Sequence, residues 1–491
     1  MVVRKEVTEG TPLLASAGSQ VIPLREGFSL SPAQETLTND ELRAGIGAAP
    51  DAIGVESAEA EIPFYLRHSG VEGQEPCYGE LIESAFGAKT VNATEYDTAS
   101  GSTVTVIAMP SGEGPFFERG QALLVKNTTK EIRPIESISG DNLTLAFDLP
   151  IAPPVSINLG KAILYKPANE GHPTLTLDMY RGNGGIREVI AGGRVSEMSI
   201  SAKAGEFLEG SFSVNGVRYY FDPIEITATN KYLDFSDGSV KQLVLTEKLY
   251  RDPHELAQAI QDAFNVASSG WTVIYSDKGA NKGKFTISKA SGTATLKWFT
   301  GAQAANTIGV PLGFDVSADD TGFLTYTSDN AQDWSFQYTP SFDSEDPLVG
   351  KAMEVLFGDA SNDIVSRCVQ ELSAKVSNTI NDIKCLRAET AVDSKDIQKR
   401  EATLDFTINA DQHDAEIWKQ FRSNSTVKLA FNFGRKSGGN WVAGSAGCLY
   451  FADCKLVDFK IDDSDGIVII TGSIKAFANS SGAGEVYLNF V

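Results

Sequence analysis

The sequence has few of the residues on which disulfide frameworks, metal sites and membrane spans depend. It contains five cysteines and four histidines in 491 residues. The odd cysteine count and the lack of a C-x-x-C pair argue against a disulfide framework and a zinc site, so we expect reduced thiols. The N-terminus has no signal-peptide pattern, and no run of about 18 apolar residues predicts a membrane span.

Catalytic motifs are equally scarce, since no H-E-x-x-H, G-x-S-x-G or P-loop pattern occurs. RGNGG (181–185) precedes a β-segment, whereas a phosphate site needs a helix N-terminus, so a turn is favoured. DDSDG (462–466) lacks the first acid of an EF-hand and also favours a turn. We therefore predict no enzyme activity, no cofactor and no metal. The four histidines lie in separate segments: His68, His172, His254 and His413.

Basic residues are outnumbered, because 42 Lys and Arg stand against 64 Asp and Glu, for a formal net charge of −22. A protein that grips DNA or RNA needs a basic surface, so tight nucleic-acid binding is not expected. An acidic protein can still lie beside nucleic acid and repel it. Solubility alone is the other explanation of this charge.

The abundant residue types indicate β-structure. The chain has 45 glycines, and Ser and Thr are frequent between short apolar segments, while long helical patterns are few. This composition favours sheets joined by many turns. At about 150 residues per domain, the length predicts about three domains.

One hairpin pattern occurs twice. MSISAKAGEFLEGSFSV (198–214) has alternate apolar residues on both sides of Gly205, as in a β-hairpin. FKIDDSDGIVIITGSIKAF (459–477) repeats the pattern when Gly466 is aligned with Gly205. The alignment predicts a duplicated β-unit rather than a short-period solenoid.

An upstream strand repeats as well, because EAEIPFYL (59–66) matches EATLDFTI (401–408). Each copy continues with a short helical pattern and a further strand. The helices are predicted in YGELIESAFG (78–87) and DAEIWKQFRS (414–423), and the strands in TLTLDMY (174–180) and TVKLAFNF (426–433).

These repeats predict a mainly β chain with two related β-sandwich domains, each carrying one helix, at residues 1–222 and 331–491. The first contains a small all-β insertion at residues 90–172, where several short strand patterns are separated by turns. Between the domains lies an inserted outer α+β domain at residues 223–330, which is expected to decorate the main body. Its helix is predicted after Asp252, a favourable N-cap that is followed by proline.

The order of strand, helix, strand and hairpin resembles the tail tube proteins of long-tailed bacteriophages. Four segments carry the resemblance: LIESAFGAK (81–89), TLTLDMY (174–180), VSEMSISAKAGEFLEGSFSVNG (195–216) and FADCKLVDFKIDDSDGIVIITGSIKAF (451–477). The resemblance covers most of the chain outside the two insertions.

The resemblance implies a structural virion protein that works by self-assembly. Six tube domains would form a ring whose inner strands close around a channel, and stacked rings would form the conduit for genome delivery. Two domains per chain imply homotrimeric, pseudo-hexameric rings. Tape-measure, tail-terminator and tail-tip proteins would be its partners, no membrane is involved, and assembly would take place in the host bacterial cytoplasm.

Acidic residues at alternate strand positions suit a channel through which DNA slides without tight binding. The candidates for this channel lining are Glu59, Glu61, Glu197, Asp405 and Asp458. For each of them, a solvated position on an outer face is the competing interpretation.

Ring-to-ring contacts are predicted in segments that become ordered on stacking. The candidates are the polar N-terminal arm (1–50) and the loop at 377–395. Two other functions stay open at this point, namely a ring protein of the tail tip and a surface carbohydrate-binding β-protein.

Overall fold

The computed structural model describes the chain outside a few short gaps. The described residues are 1–41, 47, 49–182, 185–334, 339, 341–343, 345–359, 363–364, 368–410, 415–464, 466–479 and 484–491. They form two compact units. The first unit comprises Met1–Thr176, Ala191–Val217 and Pro340–Val491, and the second comprises Leu177–Ile190 and Arg218–Thr339.

The first 221 residues contain fifteen strands and one α-helix. In chain order these are β1 (Val2–Lys5), β2 (Ser29–Leu37), β3 (Ala52–Tyr65), α1 (Gly79–Phe86), β4 (Gly87–Asn92), β5 (Tyr96–Asp97), β6 (Val106–Ala108), β7 (Ala122–Lys126), β8 (Lys130–Ser139), β9 (Asn142–Leu145), β10 (Asn158–Leu159), β11 (Ala162–Pro167), β12 (Leu175–Arg181), β13 (Ile186–Lys203), β14 (Glu209–Gly216) and β15 (Arg218–Phe221).

The remaining elements fall into a middle and a C-terminal group. The middle group is β16 (Ile224–Ile226), β17 (Tyr232–Ser236), β18 (Val240–Val244), β19 (Lys248–Tyr250), α2 (Pro253–Ala267), β20 (Trp271–Tyr275), β21 (Phe285–Lys289), β22 (Thr295–Leu296), α3 (Gly309–Leu312) and β23 (Thr325–Thr327). The C-terminal group is β24 (Glu354–Asp359), β25 (Asp363–Ile364), β26 (Val369–Lys384), β27 (Val392–Asn409), α4 (Ala415–Ser423), β28 (Val427–Ser437), β29 (Asn440–Ser464), β30 (Ile467–Ala476) and β31 (Val486–Phe490).

The prediction of a mainly β chain is confirmed, and the predicted helices are present as α1, α2 and α4. Helix α1 buries a continuous apolar face made by Leu81, Ile82, Ala85 and Phe86. It ends at Gly87, whose φ of 101° is a left-handed conformation that glycine adopts without steric cost. None of the helices in the described ranges is long and apolar enough to cross a membrane.

The insertion between β4 and β11 forms a six-stranded antiparallel sheet in the order β5-β10-β7-β8-β9-β6. Its apolar side chains form a separate core cluster around Leu123, Ile135 and Leu143. The all-β character predicted for this insertion is therefore confirmed.

The second compact unit has its own core, in which α2 packs with small antiparallel sheets. Its helix begins as predicted, because the Asp252 carboxylate accepts hydrogen bonds from the backbone N–H groups of His254 and Glu255. Phe264 of α2 stacks on Trp271 with ring centroids 4.4 Å apart. Aromatic packing of this kind adds to the burial that stabilises a small core.

Two segments that were expected to become ordered only on ring stacking contain regular strands in the single chain. The segment 377–395 is a β-hairpin, in which β26 pairs with β27 from Val369 opposite Ile408 to Lys384 opposite Val392. The N-terminal arm includes β1 and β2, and Met1 and Val2 are buried. Part of the arm, at positions 42–46 and 48, lies outside the described residues. Both segments lack clear periodicity because much of β2 and of the hairpin is exposed on both faces.

A matched phenylalanine and glycine occupy neighbouring strands twice in the first unit. Gly210 lies opposite Phe64, and a Cβ on this glycine would be 2.4 Å from Phe64 Cζ. Gly472 lies opposite Phe406, and the corresponding distance is 2.6 Å. In both places the aromatic ring covers the glycine, a known device for packing glycine in sheets.

We expect Gly472→Ala to destabilise the first unit by about 2 kcal/mol, because the added methyl group displaces a packed ring. In a double-mutant cycle with Phe406→Leu, measured by urea unfolding, the two costs should not add, since the smaller side chain leaves room for the methyl group. Additive costs would show that Phe406 is not the obstacle.

Candidate functional site

The central feature of the first unit is an antiparallel arrangement of eight strands. Pairing runs in the order β2-β3-β14-β13-β26-β27-β30-β29. The first four strands and the last four form groups with the same order of connections. They meet where β13 pairs with β26, from Glu197 opposite Ser377 to Lys203 opposite Glu371. We call this pairing the internal junction.

The register corrects one detail of the sequence alignment. Aligning the two hairpin glycines places Ile200 on Ile461. In the structure Ile200 lies opposite Gly210, whereas Phe459 lies opposite the matching Gly472. The true counterpart of Ile200 is therefore Phe459, two residues away. A two-residue shift keeps each side chain on the same face, so the predicted faces survive it.

All five predicted acids lie on one face of these strands, which we call the polar face. Ser213 of β14 lies opposite both Glu61 and Glu197, and Ser473 of β30 lies opposite both Asp405 and Asp458. Glu59 precedes Glu61 by two residues on β3, the period at which strand side chains return to the same face. The opposite face carries buried residues such as Ile62 and Phe64.

Lysines also occur on the polar face, but acids accompany them. Lys375 pairs with Glu197 at 2.6 Å, and Lys475 pairs with Glu401 at 3.0 Å, which lowers the pKa of Glu401. Lys460 pairs with Asp462. Such surface pairs contribute little to stability, but they offset the positive charge of the lysines on this face.

Several acids of the polar face have hydroxyl or backbone partners instead of cations. Glu61 accepts a hydrogen bond from Ser213 at 2.9 Å, Asp405 accepts one from Ser473, and Asp458 accepts one from the Phe459 backbone N–H at 2.9 Å. Among the described residues, no cation lies within ion-pair distance of these three carboxylates.

The internal junction is held by polar groups around the C-terminal end of α1. The Asn378 amide of β26 donates to the backbone oxygens of Ala85 and Val195, both at 3.0 Å. Arg400 of β27 donates to the Phe86 oxygen at 3.3 Å and pairs with Glu485 at 3.2 Å. Through Ala85 and Phe86, these side chains add hydrogen bonds to the last carbonyl groups of the helix, which have no partner within the helix itself.

No sequence signal identifies Asn378 and Arg400, because their partners are backbone atoms far away along the chain. When the two strand groups are superimposed by their pairing register, Pro32 of β2 matches Asn378 and Ala58 of β3 matches Arg400. Neither side chain can donate these hydrogen bonds. The contact is therefore specific to the internal junction.

Each end of the eight-strand series exposes an edge. Among the described residues, β2 pairs only with β3, and residues 455–464 of β29 pair only with β30. Near the β29 edge, Trp418 of α4 contacts the rings of Phe421 and Phe459 yet stays 47 % exposed, and Ile461 is 61 % exposed. Unpaired edges with exposed apolar side chains favour association with another chain.

The three histidines among the described residues lie apart from one another and share no site. His68 is buried between the rings of Phe433 and Phe490. The Nδ1 and Nε2 atoms of His172 lie 2.8 Å and 3.1 Å from the backbone oxygens of Ser84 and Ala168, and the exposed His254 lies near Asp277. His413 lies outside the described residues, as do positions 183–184 of RGNGG and 465 of DDSDG. The rest of DDSDG belongs to the β29–β30 hairpin.

Unpaired sheet edges with exposed apolar side chains are typical of a protein that assembles with further chains. The family model described as phage tail tube protein matches residues 1–247, which is half of the chain. The chain belongs to the phage tail tube protein family. It is therefore a structural component of the virion tail that assembles into stacked rings.

Comparison with solved structures gives more distant likenesses. The SPP1 tail tube, determined by solid-state NMR and cryo EM, shares 10 % identity over 30 % of this chain and 80 % of its own, with a TM-score of 0.22. A crystal structure of Hcp protein shares 8 % identity over 27 % of this chain and 98 % of its own, with a TM-score of 0.17. No curated protein matches the chain.

Proposed function

We propose that three chains close into one ring, with the two four-stranded groups of each chain serving as two tube domains, at residues 1–222 and 331–491. The inserted domain at 223–330 takes no part in the closure. In this ring the β29 edge of one chain meets the β2 edge of the next. Closed rings remove the unpaired edges that a single chain exposes.

One observation carries this proposal, namely the internal junction. It shows how the last strand of the first group, β13, joins the first strand of the second group, β26. The same kind of contact between β29 and β2 of a second chain would repeat the order of strands. Two groups per chain then give a pseudo-sixfold ring of three chains.

We further propose that the polar face lines the channel. Helix α1 and the buried core lie on the other side of the strands, so the polar face is the one left to face inward. Glu59, Glu61, Asp405 and Asp458 would repel the phosphate groups of the genome, and the paired lysines would not bind them tightly.

The partners of the tube follow from this role in a long-tailed phage. A tape-measure protein would occupy the channel before the genome passes, and tail-terminator and tail-tip proteins would bind the two ends of the stack. The hydroxyl groups of the polar face, such as Ser199, Ser211 and Ser213, support a surface over which either occupant can slide.

Electron microscopy of the purified protein tests the ring. Negatively stained particles should be rings or tubes with a central pore, and the mass of an isolated ring should equal three chains. Six chains per ring would contradict the pairing of two domains in one polypeptide. A monomer without a pore at high concentration would contradict the proposal as a whole.

Reversing charges on the polar face tests the channel. We expect the double variant Glu61→Lys and Asp405→Lys to form tubes of normal appearance, because both side chains are exposed. Phage carrying these tubes should eject DNA several-fold more slowly, since rings of lysines attract phosphate. Release of DNA in real time measures the effect.

The matched control is Glu247→Lys with Asp262→Lys in the second unit, where reversed charges should leave ejection unchanged. Normal ejection through the Glu61→Lys and Asp405→Lys tube would show that the polar face does not line the channel.

A further inference from the structure

The tip of the β26–β27 hairpin, residues 383–391, is an ordered projection that we call the knob. The Cys385 N–H donates to the Ala391 oxygen at 3.0 Å, and the Thr390 hydroxyl donates to the Val392 oxygen at 2.9 Å. The Thr390 oxygen also accepts a hydrogen bond from the Glu56 N–H at 3.1 Å, which ties the knob to β3.

The knob carries an apolar residue at its apex. Leu386 is fully exposed, with a relative accessibility of 107 %, and Ile383 beside it is 47 % exposed. An ordered turn that presents leucine to water loses the benefit of burying that side chain. The leucine would regain that benefit if another molecule covered it.

A cleft with exposed apolar atoms lies at the opposite end of the same strands. It is lined by Phe207, Pro347, Val349, Gly434, Arg435 and Lys436, among others. Backbone hydrogen bonds hold the segment at the base of the cleft in place. The Leu348 N–H donates to the Leu66 oxygen at 3.0 Å, and the Leu348 oxygen accepts from the Leu208 N–H at 2.9 Å. Phe207 packs on the Tyr65 ring at 5.0 Å and stays 46 % exposed.

The register places knob and cleft at opposite mouths of a ring. At one end of the internal junction Lys203 lies opposite Glu371, and this end is near the cleft. From there β26 runs to Lys384, which is next to the knob. In a closed sheet the strands run obliquely from one mouth to the other. A second ring stacked in the same orientation therefore turns its knobs toward the mouth of the first ring that carries the clefts.

Charge complements this geometry. Arg387 on the knob is highly exposed, and its nearest carboxylate, Asp393, is 3.9 Å away. Asp346 at the cleft is also highly exposed and lies 3.7 Å from Arg435, whose closer partner is Glu345 at 2.7 Å. Each charge is thus only loosely paired within its own chain and is available to the other.

We propose that the knob of a chain in one ring seats in the cleft of a chain in the adjacent ring. Leu386 enters against Phe207 and Val349, and Arg387 faces Asp346. This inference rests on the proposed ring, and it assigns the contact that stacks rings into a tube. The partner is a second copy of this chain, and the contact is preformed rather than ordered on stacking.

The variant Leu386→Glu tests the apolar part of the contact. Because Leu386 is fully exposed, the change leaves folding and ring closure intact. We expect rings that stack at least tenfold less, seen by electron microscopy and sedimentation velocity, as charge opposes entry into the cleft. The matched control is Val240→Glu, a highly exposed valine in the second unit, which should give normal tubes.

Tubes of normal length from Leu386→Glu would overturn the knob contact while leaving the ring in place. Loss of rings in the variant alone would overturn the knob contact, because the knob would then act in ring closure, whereas absence of rings from the wild-type protein as well would overturn the proposed ring. These two failures are distinguished by the mass of the smallest assembled particle.

A charge swap tests the polar part. Arg387→Glu and Asp346→Arg should each shorten tubes several-fold, because each places like charges together. The double variant restores the pair in reversed order and should recover most of the wild-type length. If tubes of the double variant are shorter than those of either single variant, the proposed pairing of Arg387 with Asp346 is overturned.

Discussion

A chain carrying Ile461→Asp should fold normally and form neither rings nor tubes. Ile461 is 61 % exposed in the isolated chain, so the substitution should change the free energy of unfolding by no more than about 0.5 kcal/mol. Its counterpart at the internal junction is Ala202, which lies opposite Leu372 of β26 and is buried. Ring closure should bury position 461 in the same way.

The expected effect on assembly is large because an ionised carboxylate would enter a contact without a cation. Burying an unpaired charge costs several kcal/mol, and the proposed trimer contains three such contacts in every ring. Sedimentation velocity should show monomer at concentrations where the wild-type protein is fully assembled. Near-UV circular dichroism and thermal unfolding check that the monomer is native.

The matched control is Val240→Asp, in which an exposed valine of the second unit, 71 % accessible, is changed in the same way. This variant should assemble like the wild-type protein. Rings formed by Ile461→Asp would show that the edge of β29 is not a ring contact, whatever the behaviour of the control.

The alternation of apolar and polar residues predicted the faces of the strands but not their neighbours. Glu61, Glu197 and Asp405 lie together on one face because each occupies the polar phase of its strand. The two-residue period determines the face on which each side chain lies, and an alignment error of two residues leaves that face unchanged. The counterpart of Ile200 was missed for that reason, since Phe459 and Ile461 have the same phase.

Contacts between distant backbone groups left no trace in the sequence pattern. Asn378 and Arg400 bond the carbonyl groups at the end of α1, and a carbonyl group is the same in every residue. The hairpin at 377–395 was missed for a different reason. Its outer part is solvated on both faces, so no apolar alternation marks it as strand.

Lowering the pH should reduce the free energy of unfolding of the first unit, in part because of His68. This side chain is fully buried and packed between aromatic rings, and its Nε2 has no hydrogen-bond partner among the described groups. Burial, and to a smaller extent the charge of Arg435, lowers the pKa of His68 from 6.5 to about 3. The folded protein therefore keeps this imidazole neutral where the unfolded chain protonates it.

The sign of the effect follows from proton binding. Above pH 6.5 neither state binds the proton, so His68 does not change the free energy of unfolding with pH. Between pH 6.5 and about 3 only the unfolded state binds it, and stability falls by about 1.4 kcal/mol for each pH unit. From pH 7 to pH 4 the loss due to His68 is about 3 kcal/mol.

Comparison with His68→Gln isolates this contribution. Both chains should carry Ile461→Asp, so that urea unfolding reports the isolated chain rather than dissociation of rings. Glutamine alters packing by an amount that does not depend on pH, and all other titrating groups are common to both chains. The stability difference between the two chains should therefore shift by about 3 kcal/mol from pH 7 to pH 4, in favour of the variant. An equal loss of stability in both chains would contradict this prediction, because it would mean that His68 is protonated within the folded protein. The packing of His68 between Phe433 and Phe490 does not permit that protonation without local opening.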